Sequence, residues 1–204
     1  MATPLSLVLF DMDDVLCHYD RDARYAHLSR RTGHDAETIR HALWGTGLEW
    51  RADQGELDGP AYLEALSRQL DCRITLEDWL SARRAAMQPN FEVLRLAQRV
   101  ASRARIAVLT NNSRLVADHI AFLCPEIAAL FGDTVHASAM FQAAKPAAEV
   151  YLRCLEHLQA SAGQTLFIDD LEENISGAIA AGLHGHHFTG TAALERDLCA
   201  RGLI

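Results

Sequence analysis

The spacing of apolar residues changes twice along the chain, and those changes divide it. Residues Leu5–Phe10 form an apolar run rich in Leu and Val, interrupted only by Ser6. Such a run marks a strand buried on both faces, as in a parallel sheet. From about Tyr19 to Met87 the segment turns polar, rich in Arg, Asp, Glu and Ala, and its apolar residues recur at helical spacing. The spacing predicts helices over Arg21–Thr32, Ala36–Leu43, Gly59–Leu70 and Leu76–Met87. Asp35 and Thr75 are suitable N-caps, and Thr75 with Asp78 has the spacing of a capping-box variant. Gly33, Gly45, Gly47 and Gly55 punctuate this region.

Beyond Pro89 strands and helices alternate. Helix Phe91–Ser102 leads to strand Arg105–Thr110 and a helix over Arg114–Leu123. A strand at Asp133–Ala137 precedes helix Ala147–Gln159. Strand Gln164–Ile168 is followed by helix Glu173–Ala181, a strand at His186–Phe188 and helix Ala192–Ala200. This order predicts an α/β fold, a doubly wound parallel sheet. Residues 1–16 and 89–204 would form the core, and residues 17–88 a small helical unit inserted after the first strand.

Composition narrows the function. Half of the 204 residues are apolar and 23% are charged, the make-up of a globular protein with a substantial core. A net charge of −8 argues against nucleic acid or an anionic membrane as partner. No apolar run approaches a membrane span, and the opening Met1–Pro4 is no signal peptide. Cys17, Cys72, Cys124, Cys154 and Cys199 are scattered without a Cys-x-x-Cys pair, as expected of reduced thiols in a cytoplasmic protein. Of the 19 basic residues only Lys145 is lysine. A lysine kept against that bias raises the question of what a compact ammonium supplies that a planar guanidinium does not.

Three predicted strands end in a polar residue, Asp11, Thr110 and Asp169. Open α/β sheets bind ligands at that edge. Asp11 and Asp13 are two apart, which in extended chain places both carboxylates on one face. Their repulsion calls for a divalent cation. Thr110-Asn111-Asn112 offers a hydroxyl, amides and backbone N–H groups ahead of a helix, all suited to an anion. Lys145-Pro146 adds an ammonium, and Asp169-Asp170 a second carboxylate pair. Oxygen ligands match Mg²⁺ better than zinc, which prefers His or Cys. Two unit charges about 4 Å apart interact by roughly 4 kcal/mol at an effective dielectric of 20. A carboxylate approaching a phosphate dianion therefore needs Mg²⁺ and Lys145 nearby.

These four segments, in this order and spacing, resemble the motifs of the haloacid dehalogenase (HAD) superfamily, and more narrowly of its phosphatases. The resemblance covers nearly the whole chain. It implies a phosphatase of small phosphorylated metabolites, sugar phosphates foremost, acting as monomer or homodimer. By resemblance, Asp11 is the nucleophile that forms an aspartyl-phosphate. Asp13 protonates the leaving oxygen and then activates water. Thr110 and Asn111 hold phosphoryl oxygens, and Lys145 bridges Asp11 and the phosphate. Asp11, the Asp13 carbonyl and Asp170 would bind Mg²⁺ with Asp169 close by, and Asn174 would support them from behind. Ala52–Leu57 and Leu109–Arg114 are similar to bacterial glucose-1-phosphate phosphatases and to the phosphatase domain of soluble epoxide hydrolases. Asp14 stands where the family commonly has glycine, and so does Gln142.

Other reactions fit less well. A haloacid dehalogenase lacks the second aspartate, which Asp13 supplies here. A phosphonate hydrolase of this family needs a cap lysine, and residues 17–88 contain none. A sugar-phosphate mutase shares the core and the aspartate pair and stands as the alternative; a non-catalytic phosphate-binding module would lack the nucleophile or the acid. His184, His186 and His187 lie around a short strand with no matching carboxylate, so a structural role is favoured over a metal cluster. Trp44, Trp50 and Arg51 lie where an insert would face the site, as substrate selectors or as packing.

Overall fold

A computed structural model describes residues 4–204. Five strands form one parallel sheet: β1 (Leu7–Phe10), β4 (Arg105–Thr110), β5 (Val135–Ala137), β6 (Thr165–Asp169) and β7 (His184–His187), in the order β5-β4-β1-β6-β7. Two more, β2 (Cys17–Tyr19) and β3 (Met87–Pro89), pair antiparallel as a separate ribbon. The apolar run of β1 sits at the centre of the sheet and is fully buried. Val8 and Phe10 join one apolar cluster, Leu7 and Leu9 the other. That alternation is the pleat of a strand covered by helices on both faces. The doubly wound α/β expectation holds.

Parallel pairing sets the register that builds the site. Phe10 lies opposite Val108 of β4 and Ile168 of β6. Asp11, one residue on, donates its N–H to the Ile168 carbonyl at 2.8 Å. The ends of β1, β4 and β6 therefore fall level along one edge.

The region between the ribbon strands is helical, as its spacing predicts. Asp20, Asp35 and Asp58 cap helices Arg21–Thr32, Ala36–Arg40 and Gly59–Gln69, and Thr75 and Asp78 close a capping box on Leu76–Ala86. The unit is held by a buried polar network. Arg24 lies 2.8 Å from Glu49, and the Tyr62 hydroxyl hydrogen-bonds the same Glu49 oxygen. Trp79 Nε1 donates to Tyr62 at 3.2 Å. The unit meets the core where Ser138 Oγ donates to the Asp53 carbonyl at 2.7 Å. Gly55 sits there with φ +73°, and a Cβ would come 2.5 Å from the Ala139 carbonyl oxygen. Only glycine fits that approach.

Several elements depart from the sequence reading. The helix expected to run to Leu43 ends at Arg40 and widens into a π-helical turn, His41–Gly45. Gly45 permits this, because a Cβ there would stand 2.4 Å from the His41 ring. Helix Arg114–Leu123 is split at His119, whose φ of −121° lies outside the helical range. An additional helix, Pro125–Phe131, starts on a proline. The final strand begins two residues earlier than expected, at His184. All five cysteines are unpaired. Among the described residues no helix is long and apolar enough to cross a membrane.

Candidate active site

The level strand ends open into a cavity of about 320 Å³ between sheet and helical unit. Asp11, Asp13, Thr110, Asn111, Lys145, Asp170 and Asn174 all line it, so the topology gathers the residues expected from four distant segments. Asp169 alone among them lies behind the wall, fully buried.

Lys145 is the centre of charge. Its Nζ stands 2.7 Å from Asp11 Oδ1 and 2.6 Å from Asp169 Oδ2, with all three groups buried. The Asp11 contact has ion-pair distance without hydrogen-bond geometry, whereas the Asp169 contact has both. Burial alone would depress the lysine, but Asp11 and then Asp169 override it and hold the ammonium above its usual value. Burial pushes the Asp11 carboxyl up to about 8; Lys145 opposes this, and Asp169 and Asp13 add to it. One ammonium is thus set against more carboxylate than it can neutralise.

That imbalance tests the site for a cation. Oxygens of Asp11, Asp169 and Asp170 lie within 4.8 Å of one another. The donors are all carboxylate oxygens, the set a hard divalent ion prefers. Burial, and next to it Asp169, raises the Asp170 carboxyl, the response of a group short of positive charge. The residues present fit a dication. Asp169 is already engaged, because Oδ1 accepts from Leu171 N at 2.8 Å and Oδ2 from Lys145. Asn174 Nδ2 reaches both oxygens at 3.0 and 3.1 Å. Asn174 therefore supports Asp169, which in turn anchors Lys145.

Thr110 ends β4 with its hydroxyl buried in the cavity wall. Asn112 Nδ2 donates to Thr110 Oγ1 at 2.8 Å and lies 3.3 Å from Asp13 Oδ2. The Asn111 side chain faces elsewhere than its motif suggests. Its amide makes two hydrogen bonds to the backbone of Lys145 and so fixes the lysine loop.

Asp13 lies on the turn after β1. Met12 O accepts from Leu16 N and Cys17 N at 2.9 and 3.0 Å, folding the chain back toward the cavity. Asp14 follows with φ +62°, and its carboxylate accepts from Tyr19 N at 3.1 Å. The aspartate thus keeps a glycine-like conformation through a local hydrogen bond. Gln142, the other substituted glycine position, also has positive φ, +49°.

Helical residues close the cavity, and sequence reasoning missed the most important of them. Arg83 Nη2 stands 2.6 Å from Asp13 Oδ2, with the arginine side chain 2% exposed. Its guanidinium lies 4.1 Å from the Tyr19 ring centroid. Asp53 and Glu49 also face in, and burial followed by Glu49 raises the Asp53 carboxyl well above the ordinary range. Trp44 reaches the cavity from the π-helical turn with Arg21 over its ring at 5.6 Å, whereas Trp50 and Arg51 do not line it. Of the three histidines, His186 pairs with Asp197 at 2.9 Å and His187 donates to the Asp170 carbonyl at 2.9 Å; they form no metal cluster.

Comparison with known proteins gives the family and the fold. The family model for haloacid dehalogenase-like hydrolases matches residues 5–182. A phosphatase of Mycobacterium tuberculosis is 31% identical over 212 residues, covering 98% of this chain and 96% of that protein. The structure of a predicted HAD-like family hydrolase from Porphyromonas gingivalis superposes with a TM-score of 0.78 at 22% identity, over 96% of this chain and 98% of that one. A HAD family enzyme of Bacteroides thetaiotaomicron, in complex with magnesium and inorganic phosphate, gives 0.73 at 17% identity, over 89% and 93%. The chain belongs to the haloacid dehalogenase-like hydrolase family.

Proposed function

We propose that this protein is a Mg²⁺-dependent phosphatase that hydrolyses a small phosphorylated metabolite, a sugar phosphate foremost, through an aspartyl-phosphate on Asp11. The observation that carries the reading is the meeting of Asp11, Asp13, Thr110 and Lys145 around one polar cavity. The mycobacterial relative named a phosphatase and the Bacteroides neighbour holding magnesium and phosphate support it.

Asp11 and Asp170, with the Asp13 carbonyl, would hold Mg²⁺, and Asp169 stays behind them on Lys145. When bound, the ion supplies positive charge against the nucleophile and the phosphoryl oxygens. The Lys145 ammonium supplies more from the other side, and Thr110 offers its hydroxyl to a phosphoryl oxygen. An Asp11 oxygen attacks phosphorus while Asp13 gives a proton to the departing alkoxide oxygen. Asp13 then takes a proton from water as the water oxygen attacks phosphorus and the Asp11–phosphorus bond breaks. Phosphate leaves and Asp11 is regenerated.

Residues 17–88 act as a cap in this reading, joined to the core through the β2–β3 ribbon. Glu49, Asp53, Arg21 and Trp44 present a polar face that suits a hydroxyl-bearing leaving group. The free thiols suit a reducing cytoplasm.

The test is phosphate release from p-nitrophenyl phosphate and a panel of phosphorylated metabolites, with Mg²⁺ and with EDTA. Hydrolysis that stops with EDTA and returns with Mg²⁺ is expected, as is its loss in Asp11→Asn. A single turnover in ¹⁸O-water should place one ¹⁸O in the released phosphate and none in Asp11, because water attacks phosphorus; label in the Asp11 carboxylate would instead mean attack at its carbon. Isomer interconversion without phosphate release would instead indicate a mutase, and metal-independent release of halide from 2-haloacids a dehalogenase.

A further inference from the structure

The geometry points to Arg83 as the residue that positions Asp13, with Asp13 Oδ2 as its anchored oxygen and Oδ1 as the one that carries the proton. The inference rests on the phosphatase reading above.

The two Asp13 oxygens differ in their surroundings. Oδ2 receives Arg83 Nη2 at 2.6 Å and Asn112 Nδ2 at 3.3 Å. Oδ1 has only the Cys17 thiol, at 3.7 Å, a weak donor. A charge-assisted bond from a planar guanidinium outweighs a thiol contact and fixes the carboxylate rotamer. Arg83 is itself confined. It is buried, its guanidinium stacks on Tyr19, and the Tyr19 hydroxyl accepts from Arg24 Nη1 at 3.2 Å. Arg24 is tied in turn to Glu49 and Tyr62.

This places control of the acid–base group in the helical unit. Asp13 belongs to the core loop after β1, but its orientation is imposed from helix Leu76–Ala86. The hydrogen bond exists only while that helix stands against the loop. A proton on Oδ1 passes to the leaving oxygen as the phosphorus–oxygen bond breaks, and Oδ1 recovers it from the attacking water. Oδ2 stays on Arg83 throughout.

The test compares two esters whose leaving groups differ in their need for a proton. The p-nitrophenolate ion departs without one, whereas the alkoxide of an alkyl phosphate does not. Up to the first irreversible step, kcat/KM reports phosphoryl transfer to Asp11. In Arg83→Gln, kcat/KM for the alkyl phosphate should fall by about a hundredfold, the scale of a lost general acid. For p-nitrophenyl phosphate it should fall by less than about tenfold. Tyr19→Leu, which removes the stacking surface, should show the same selective loss at smaller size. In Arg83→Ala, added guanidinium ion should restore the alkyl ester preferentially.

Equal losses on both esters would overturn the inference, and so would an inorganic phosphate inhibition constant weakened in step with them. Those results would make Arg83 a phosphate ligand or a packing residue. If the parent protein released phosphate from neither ester, the phosphatase reading itself would fall, and the two failures are thereby separable. Tyr19→Leu and the guanidinium rescue keep the inference exposed even where Arg83→Gln folds poorly.

Discussion

The side-chain amide of Asn111 and the backbone of Lys145 are joined in both directions at the edge of the sheet. Asn111 Nδ2 donates to the Lys145 carbonyl at 2.9 Å, and Lys145 N donates to Asn111 Oδ1 at 2.8 Å. The residue after β4 thereby fixes the backbone from which the lysine reaches Asp11. Asn111→Asp keeps the acceptor and replaces the donor with a second acceptor facing the carbonyl. A net cost of about 1–3 kcal/mol follows from an unsatisfied, repelled pair. Urea denaturation should show that loss, and kcat on p-nitrophenyl phosphate should drop by roughly tenfold or more as Lys145 shifts. Unchanged stability with unchanged turnover would show that the lysine loop holds itself.

Lys145 makes a second prediction because it serves two buried carboxylates at once. Lys145→Met leaves Asp11 and Asp169 without their counter-charge, and breaking a buried pair by removing one partner costs about 3–5 kcal/mol. Lys145→Arg keeps the charge but needs a planar fork where a point charge bridges two oxygens. It should fold and lose about a hundredfold in kcat, the scale associated with a displacement near 1 Å at the reacting centre. Near-normal kcat in Lys145→Arg would refute the requirement for a compact cation.

The contrast between these residues and Arg83 shows what the sequence makes legible. Asp11, Thr110 and Asp169 stand out because each ends an apolar run, and parallel register brings such ends together. Lys145 stands out because no other lysine exists to mask it. Arg83 has neither signal: it is one of eighteen arginines, on a helix whose neighbours are also Arg and Ala. Its function depends on which helix face meets the β1 loop, and that is fixed by tertiary packing. Asn111 was legible as a site residue but not in its contact, because an amide ahead of a helix can serve an anion or a neighbouring peptide equally well. The ribbon strands β2 and β3 are too short, at three residues each, to register as a period. The π-helical turn follows from the pairing of Gly45 with His41, which no spacing rule encodes.

Gln142 offers a prediction about backbone alone. It is exposed and sits at φ +49°, a conformation costing L-residues roughly 1–2 kcal/mol. Glycine removes that cost and adds about 0.5–1 kcal/mol of unfolded-state entropy. Gln142→Gly should therefore be neutral to stabilising by about 1 kcal/mol in urea denaturation. A loss of more than that would mean that the Gln142 side chain makes a contact of its own.

His136 sets how stability responds to acid. It lies buried in β5, neither ring nitrogen has a hydrogen-bond partner, and the His157 ring stands 5.0 Å away. Burial, and then His157, lower its pKa from 6.5 to about 4. The folded protein therefore refuses a proton that the unfolded chain accepts. Above about 6.5 both states are neutral and stability is unaffected; between 6.5 and 4 the unfolded state gains the proton first and stability falls. At 1.36 kcal/mol per unit the whole descent is on the order of 3 kcal/mol. Asp11, whose carboxyl is raised, contributes the opposite slope, so the quantity to measure is a difference between variants. Urea denaturation of the parent and of His136→Phe, each at several pH values from 7 to 4, isolates the histidine. The phenyl variant should lose less stability across that range, with the gap opening below about 6.5. Parallel curves would assign the acid response to other groups and leave His136 as packing alone.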